Sequence, residues 1–205
     1  MRIAAALALL WAVLALLYQV VLARGGGRTD YSVRAGHSGR GVLYAFTTAM
    51  LPTHKESVRH HPGKFAVGLL LHVGVLAALL EIVLLVAGVA VAWPWGVLAL
   101  LALPAGIYLA VRRRVSPVLR AMNAPDDYVA IVAVCALLVM AALSAFGIVA
   151  PAVLLGYAVP FLVYLPLGKL RHVIFFFVAR ADLGRRLGYR GTLPLAAERN
   201  HGGQD

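Results

Sequence analysis

The chain is poor in the residues on which most soluble enzymes depend. It has a single cysteine, Cys135, set in an apolar run. That excludes an intrachain disulfide and a cysteine-ligated iron–sulfur cluster built from this chain alone. Charged residues make up only 13% of the sequence, and acids number eight against nineteen lysines and arginines. There is no glycine-rich dinucleotide fingerprint and no region large enough for a molybdenum domain, so the chain is not expected to be a complete enzyme alone. The net charge of +11 would suit nucleic acid, but the basic residues lie in short blocks between apolar runs. Such blocks belong on the cytoplasmic side of a membrane, and no nucleic-acid partner is expected. What is abundant is apolar: 62% hydrophobic residues and a mean hydropathy of +0.86, the composition of an integral membrane protein.

The apolar runs predict an all-α, integral membrane five-helix bundle. Spans are expected at about 3–22, 65–92, 97–111, 128–148 and 152–178, each compared with the roughly 20 residues that cross a bilayer. The first resembles a signal peptide but is long and followed by only a modest cleavage site, Ala23-Arg24-Gly25, so a retained helix is expected. Residues 23–64 form a basic loop, in which Gly41 to Leu51 is too short to span and reads as a helix lying on the membrane surface. Trp93-Pro94-Trp95-Gly96 and Val149-Ala150-Pro151 read as uncharged turns, and 181–205 as a basic tail. The loops after spans one and three and the tail share one side and carry nearly every Lys and Arg. By the positive-inside rule that side is cytoplasmic, with the amino terminus outside and the carboxyl terminus inside.

Two histidines interrupt these runs. His72 lies seven residues into the second span and His172 eight residues before Arg180, depths of about 10 Å and about 12 Å at the helical rise. Two imidazoles at one depth on different helices are the arrangement of bis-histidine axial ligation of a haem. Two separate interfacial histidines, each hydrogen-bonded to backbone or headgroups, fit the same spacing. Lys169 and Arg171, with Arg180 at the exit, suit the neutralisation of haem propionates and equally suit snorkelling at a membrane boundary.

Leu71-His72-Val73-Gly74, together with Leu165-Pro166-Leu167-Gly168-Lys169-Leu170-Arg171-His172, resembles the gamma subunit of respiratory nitrate reductase. The resemblance extends to its relatives, the cytochrome b-type membrane subunits of sulfite-reductase-associated and heterodisulfide-reductase-like complexes. It implies that His72 and His172 are the metal ligands of a cytoplasmic-side haem b, with Lys169 and Arg171 beside it. The family's outer-side haem would need histidines where this chain has Ile82 and Leu154, so a single haem is expected.

Other polar positions have less defined roles. His54, His60 and His61 fall within eight residues in no strong zinc pattern. His60 and His61 are candidates to exchange the protons of a quinol, to replace a haem ligand, or to pack at the surface. Glu81 is the one acid well inside a predicted span, a functional-site hypothesis by default, which either relays protons or bonds a neighbouring helix in neutral form. Asp126 and Asp127 suit the start of a helix.

The expected function is a cytochrome b-type membrane anchor that passes electrons between the quinone pool and a cytoplasm-facing iron–sulfur or redox subunit. On that reading the chain is the quinone-reactive part of a larger oxidoreductase, multi-pass in a prokaryotic inner (plasma) membrane and surrounded by lipid. Two alternatives stand beside it: a haem-free anchor or assembly subunit of a respiratory complex, and a small proton-coupled transporter. The lack of an evident inverted repeat counts against the transporter.

Overall fold

A computed structural model describes residues 1–25, 37–54, 58 and 60–187. The described residues are helical: α1 Arg2–Gly25, α2 Ser38–Phe46, α3 Pro62–Val86, α4 Trp93–Val115, α5 Pro117–Met122, α6 Pro125–Ala145, α7 Pro151–Tyr164 and α8 His172–Leu187, with short 3-10 turns at Thr48–Met50, Pro52–His54 and Lys169–Arg171. Four of them, α1, α3, α4 and α6, are long and apolar enough to cross a membrane, and the interrupted pair α7 and α8 makes a fifth if counted as one broken span. The chain is an all-helical, multi-span membrane protein.

The helix ends follow local chemistry, and two differ from expectation. The second span stops at Val86, and the chain turns through Gly88 at φ 83°, a conformation that glycine adopts without steric cost. Trp93-Pro94-Trp95-Gly96 is the first turn of α4 rather than a loop, because proline at the start of a helix has no N–H to leave unsatisfied. Pro125 and Pro151 open α6 and α7 in the same way.

The helices divide into two compact units, Met1–Tyr18 with Gly63–Arg171, and Gln19–Pro62 with His172–Asp205. In the first unit the packing is built on small residues. α4 buries Gly96, Ala99, Ala102, Ala105 and Gly106, and α3 buries Gly74, Ala77 and Ala78. A Cβ on Gly74 would run into that of Ala102, and one on Gly106 would come within 2.8 Å of Cys135 Sγ. Backbones brought this close gain dispersion contact, which drives helix association where lipid removes the hydrophobic advantage. At one end of this unit α1 begins beside the first turn and α7: a Cβ on Gly88 would lie 3.6 Å from the Arg2 guanidinium, and one on Gly156 3.8 Å from Met1 Sδ.

In the second unit α2 lies on α8. Where a helix was expected over Gly41 to Leu51, one runs from Ser38 to Phe46, and its Gly41 backbone sits where a Cβ on Gly184 would fall, 2.6 Å from the Gly41 carbonyl oxygen. Phe46 stacks on Phe177 at 6.1 Å between ring centroids. Arg180 donates to the Ala49 carbonyl at 3.1 Å, capping the 3-10 turn. Lys55, Glu56, Arg59 and the tail from 188 onward fall outside the described residues.

Gly74→Ala should lower stability by about 1–3 kcal/mol, the usual cost of overpacking a close helix contact. Gly68→Ala, with nothing within 4 Å of its added methyl, should be neutral or slightly stabilising. Thermal unfolding of the two variants in detergent compares them on one helix.

Candidate functional site

Two polar constellations are buried or half-buried in the first unit, and neither is the expected one. The first lies where α4, α5, α6 and the end of α7 meet. Asp127, at the third position of α6, accepts from the Ala124 N–H at 2.9 Å, from Arg113 at 3.1 Å and from the Lys169 ammonium at 2.5 Å. Arg113 also donates to Asn123 at 3.0 Å. Asp126 takes the Tyr164 hydroxyl at 2.6 Å and the Lys169 backbone N–H at 2.8 Å.

This network explains a break that sequence reading passed over. Span five was expected to run unbroken from 152 to 178, but α7 ends at Tyr164 and α8 starts at His172. Pro166 cannot donate to the carbonyl four residues earlier. Gly168, lacking a Cβ, lets the Tyr164 ring lie against its backbone where a side chain would collide. The interruption leaves Lys169 N–H without a helical acceptor, and Asp126 supplies one.

The second constellation is Glu81 on α3 and Ser144 on α6. Glu81 is 1% exposed and Ser144 8%. The Ser144 hydroxyl lies within hydrogen-bonding reach of the Glu81 carboxyl, while Oε1 is buried without a partner among the described residues. Leaving a buried acceptor unsatisfied costs about 1–3 kcal/mol, an unusual expense in a core of Gly, Ala and Leu.

The remaining expected residues are dispersed. His72 is exposed on α3, with Nδ1 2.6 Å from the Gly68 carbonyl oxygen. His172 is exposed in the first turn of α8 and belongs to the other compact unit. Its expected depth was counted along a continuous fifth helix, which the break at 165–171 removes. Lys169 is engaged with Asp126 and Asp127, and Arg171 is exposed. His60 and His61 are exposed, and the backbone N–H of His61 donates to the Val58 carbonyl at 3.1 Å. His54 Nδ1 lies 3.1 Å from Thr53 Oγ1.

Among the described residues no three His, Cys, Asp or Glu side chains gather into a group able to hold a metal ion. That finding overturns the haem b expectation, and with it the cytochrome b reading of the function and the metal-binding role implied for His72 and His172. The residues present do not form a site for the group. No family model, curated protein or solved structure matches the chain.

Sequence reading missed Ser144 and the bracing roles of Tyr164, Arg113 and Asn123. Ser144 is the one serine in α6, and that isolation was the available signal.

Asp126→Ala should cost about 1–3 kcal/mol through loss of two hydrogen bonds to a carboxylate. It should also speed hydrogen exchange at the Lys169 amide, leaving the amides of α3 unchanged. Mass-spectrometric exchange on the protein in detergent reads both regions at once.

Proposed function

We propose that the chain is a haem-free membrane anchor, of the kind that holds or assembles a partner subunit of a respiratory complex on its basic side. The observation that carries this reading is the separation of charge within the first unit. The end formed by the close of α4, by α5 and by the start of α6 carries Arg112, Arg113, Arg114 and Arg120, with Lys169 and Arg171 just after α7. The turns at 87–92 and 146–150 carry no ionisable residue. Arg113 and Lys169 are committed to Asp127. Arg114, Arg120 and Arg171 are exposed, and a cluster of exposed cations favours an acidic protein face and speeds its docking.

The positive-inside rule makes this end cytoplasmic and the uncharged turns external, in a prokaryotic inner membrane. The likeness to membrane subunits of respiratory complexes, carried by Leu71 to Gly74 and Leu165 to His172, supports a redox subunit as the partner. On this reading quinone turnover and electron transfer reside in the partner, and this chain supplies attachment, orientation and lipid contact.

Protein purified from native membranes should show no Soret or alpha band and should retain its partner at low salt. Arg114→Gln, Arg120→Gln and Arg171→Gln together should weaken that association by about tenfold or more, equivalent to about 1.4 kcal/mol, and raised salt should do the same. One haem b per chain, or an association indifferent to both changes, would overturn the proposal.

A further inference from the structure

The Glu81–Ser144 pair has no part in an anchoring role, yet it is the most deeply buried ionisable contact described. Glu81 lies five residues before the end of α3 and Ser144 one before the end of α6. The pair is therefore within about 8 Å of the uncharged turns at the helical rise of roughly 1.5 Å per residue. Around it the packing is tight. A Cβ on Gly96, in the first turn of α4, would lie 3.0 Å from Ala145 Cβ and 3.3 Å from the Ala142 carbonyl oxygen.

An ionised carboxylate so enclosed needs a counter-charge, and the neighbouring helices offer little. α4 has no ionisable side chain before Tyr108. α6 has Cys135, nine residues from Ser144, and Asp126, Asp127 and Tyr128 at its opposite end. α7 has Tyr157, which donates to the Ala133 carbonyl, and Tyr164. On α3 itself His72 is nine residues away and exposed. The cation described at this end is Arg2, beside Gly88.

Serine is suited to a group that changes protonation state, because its hydroxyl both donates and accepts. With the proton present, the carboxyl O–H donates to Ser144 Oγ. With the proton released, the Ser144 O–H turns and donates to the carboxylate. Oε1 is left without a partner among the described residues, so a water that reaches it displaces no existing bond.

We propose that Glu81 and Ser144 form a proton-binding site that holds one proton and exchanges it with the aqueous phase on the side of the two uncharged turns. The exchange is a proton transfer alone: the carboxyl O–H breaks, water takes the proton, and the reverse step restores the acid. The proposal is independent of the anchor reading.

Infrared difference spectroscopy on the full chain in lipid nanodiscs tests it. At about pH 6 a protonated-carboxyl C=O band should be present, absent in Glu81→Gln and shifted in Ser144→Ala. It should disappear reversibly as the pH is raised to about 10, and it should shift on transfer to D2O. Isotope labelling of glutamate assigns the band without substitution, since Glu56 and Glu198 lie outside the apolar spans. Absence of a Glu81-dependent band at about pH 6 overturns the proposal. So does a band unmoved by alkaline pH and by D2O, because the acid is then a fixed hydrogen-bonding group.

Discussion

A helix that stops inside an apolar protein must hand its backbone hydrogen bonds to something else. In this chain that requirement falls after Tyr164, whose carbonyl accepts from the Leu167 and Gly168 N–H groups, and a carboxylate takes the Lys169 N–H that is left over. Asp126 accepts the Lys169 N–H across the break and the Tyr164 hydroxyl before it, while its neighbour Asp127 draws in Arg113 and the Lys169 ammonium. Four consecutive pieces of chain, the end of α4, the short α5 connection, the start of α6 and the end of α7, are thereby tied at one point. The two aspartates also sit in the first turn of α6, where the helix dipole favours negative charge. The same residues start one helix and finish another.

The helix contacts inside this unit are organised by size rather than charge. Gly74, Gly96 and Gly106 admit neighbouring helices to distances that any side chain would forbid, and alanines fill the spaces between. Glu81 is conspicuous because it is placed among them. The contrast with Asp127 is informative: one carboxylate is ringed by cations and an N–H, the other has a lone hydroxyl. Identical chemistry thus yields an ion-paired brace in one place and an enclosed acid beside a hydroxyl in the other.

The spans were legible because continuous apolar runs cannot be accommodated in water, but one turn was misplaced: Trp93 to Gly96 opens α4, and the chain turns earlier, through Gly88. Asp126 and Asp127 could be read as helix-start residues from their position alone. Their second role could not, since it depends on where Lys169 and Tyr164 arrive from some forty residues later. The break itself was signalled by Pro160, Pro166 and Gly168. Prolines are tolerated often enough in membrane helices that a continuous span seemed adequate. That assumption placed His172 at the depth of His72 and gave the haem its apparent geometry; once the helix is interrupted, counting residues no longer measures depth. Glu81 stood out at once as an acid in an apolar run, whereas its partner on another helix is invisible to any local pattern.

The separation of Glu81 from Ser144 along the chain has a bearing on how the protein is made. Sixty-two residues lie between them, so a ribosome working at about 5–20 residues per second makes the acid several seconds before the serine exists. Throughout that interval α3 and α4 form a hairpin joined by a turn without charge, and its carboxyl has no hydroxyl to meet. The arrival of α6 brings the acid its hydroxyl, but the core is still open until α7 follows with Leu154, Ala158 and Leu162, all buried in the finished unit.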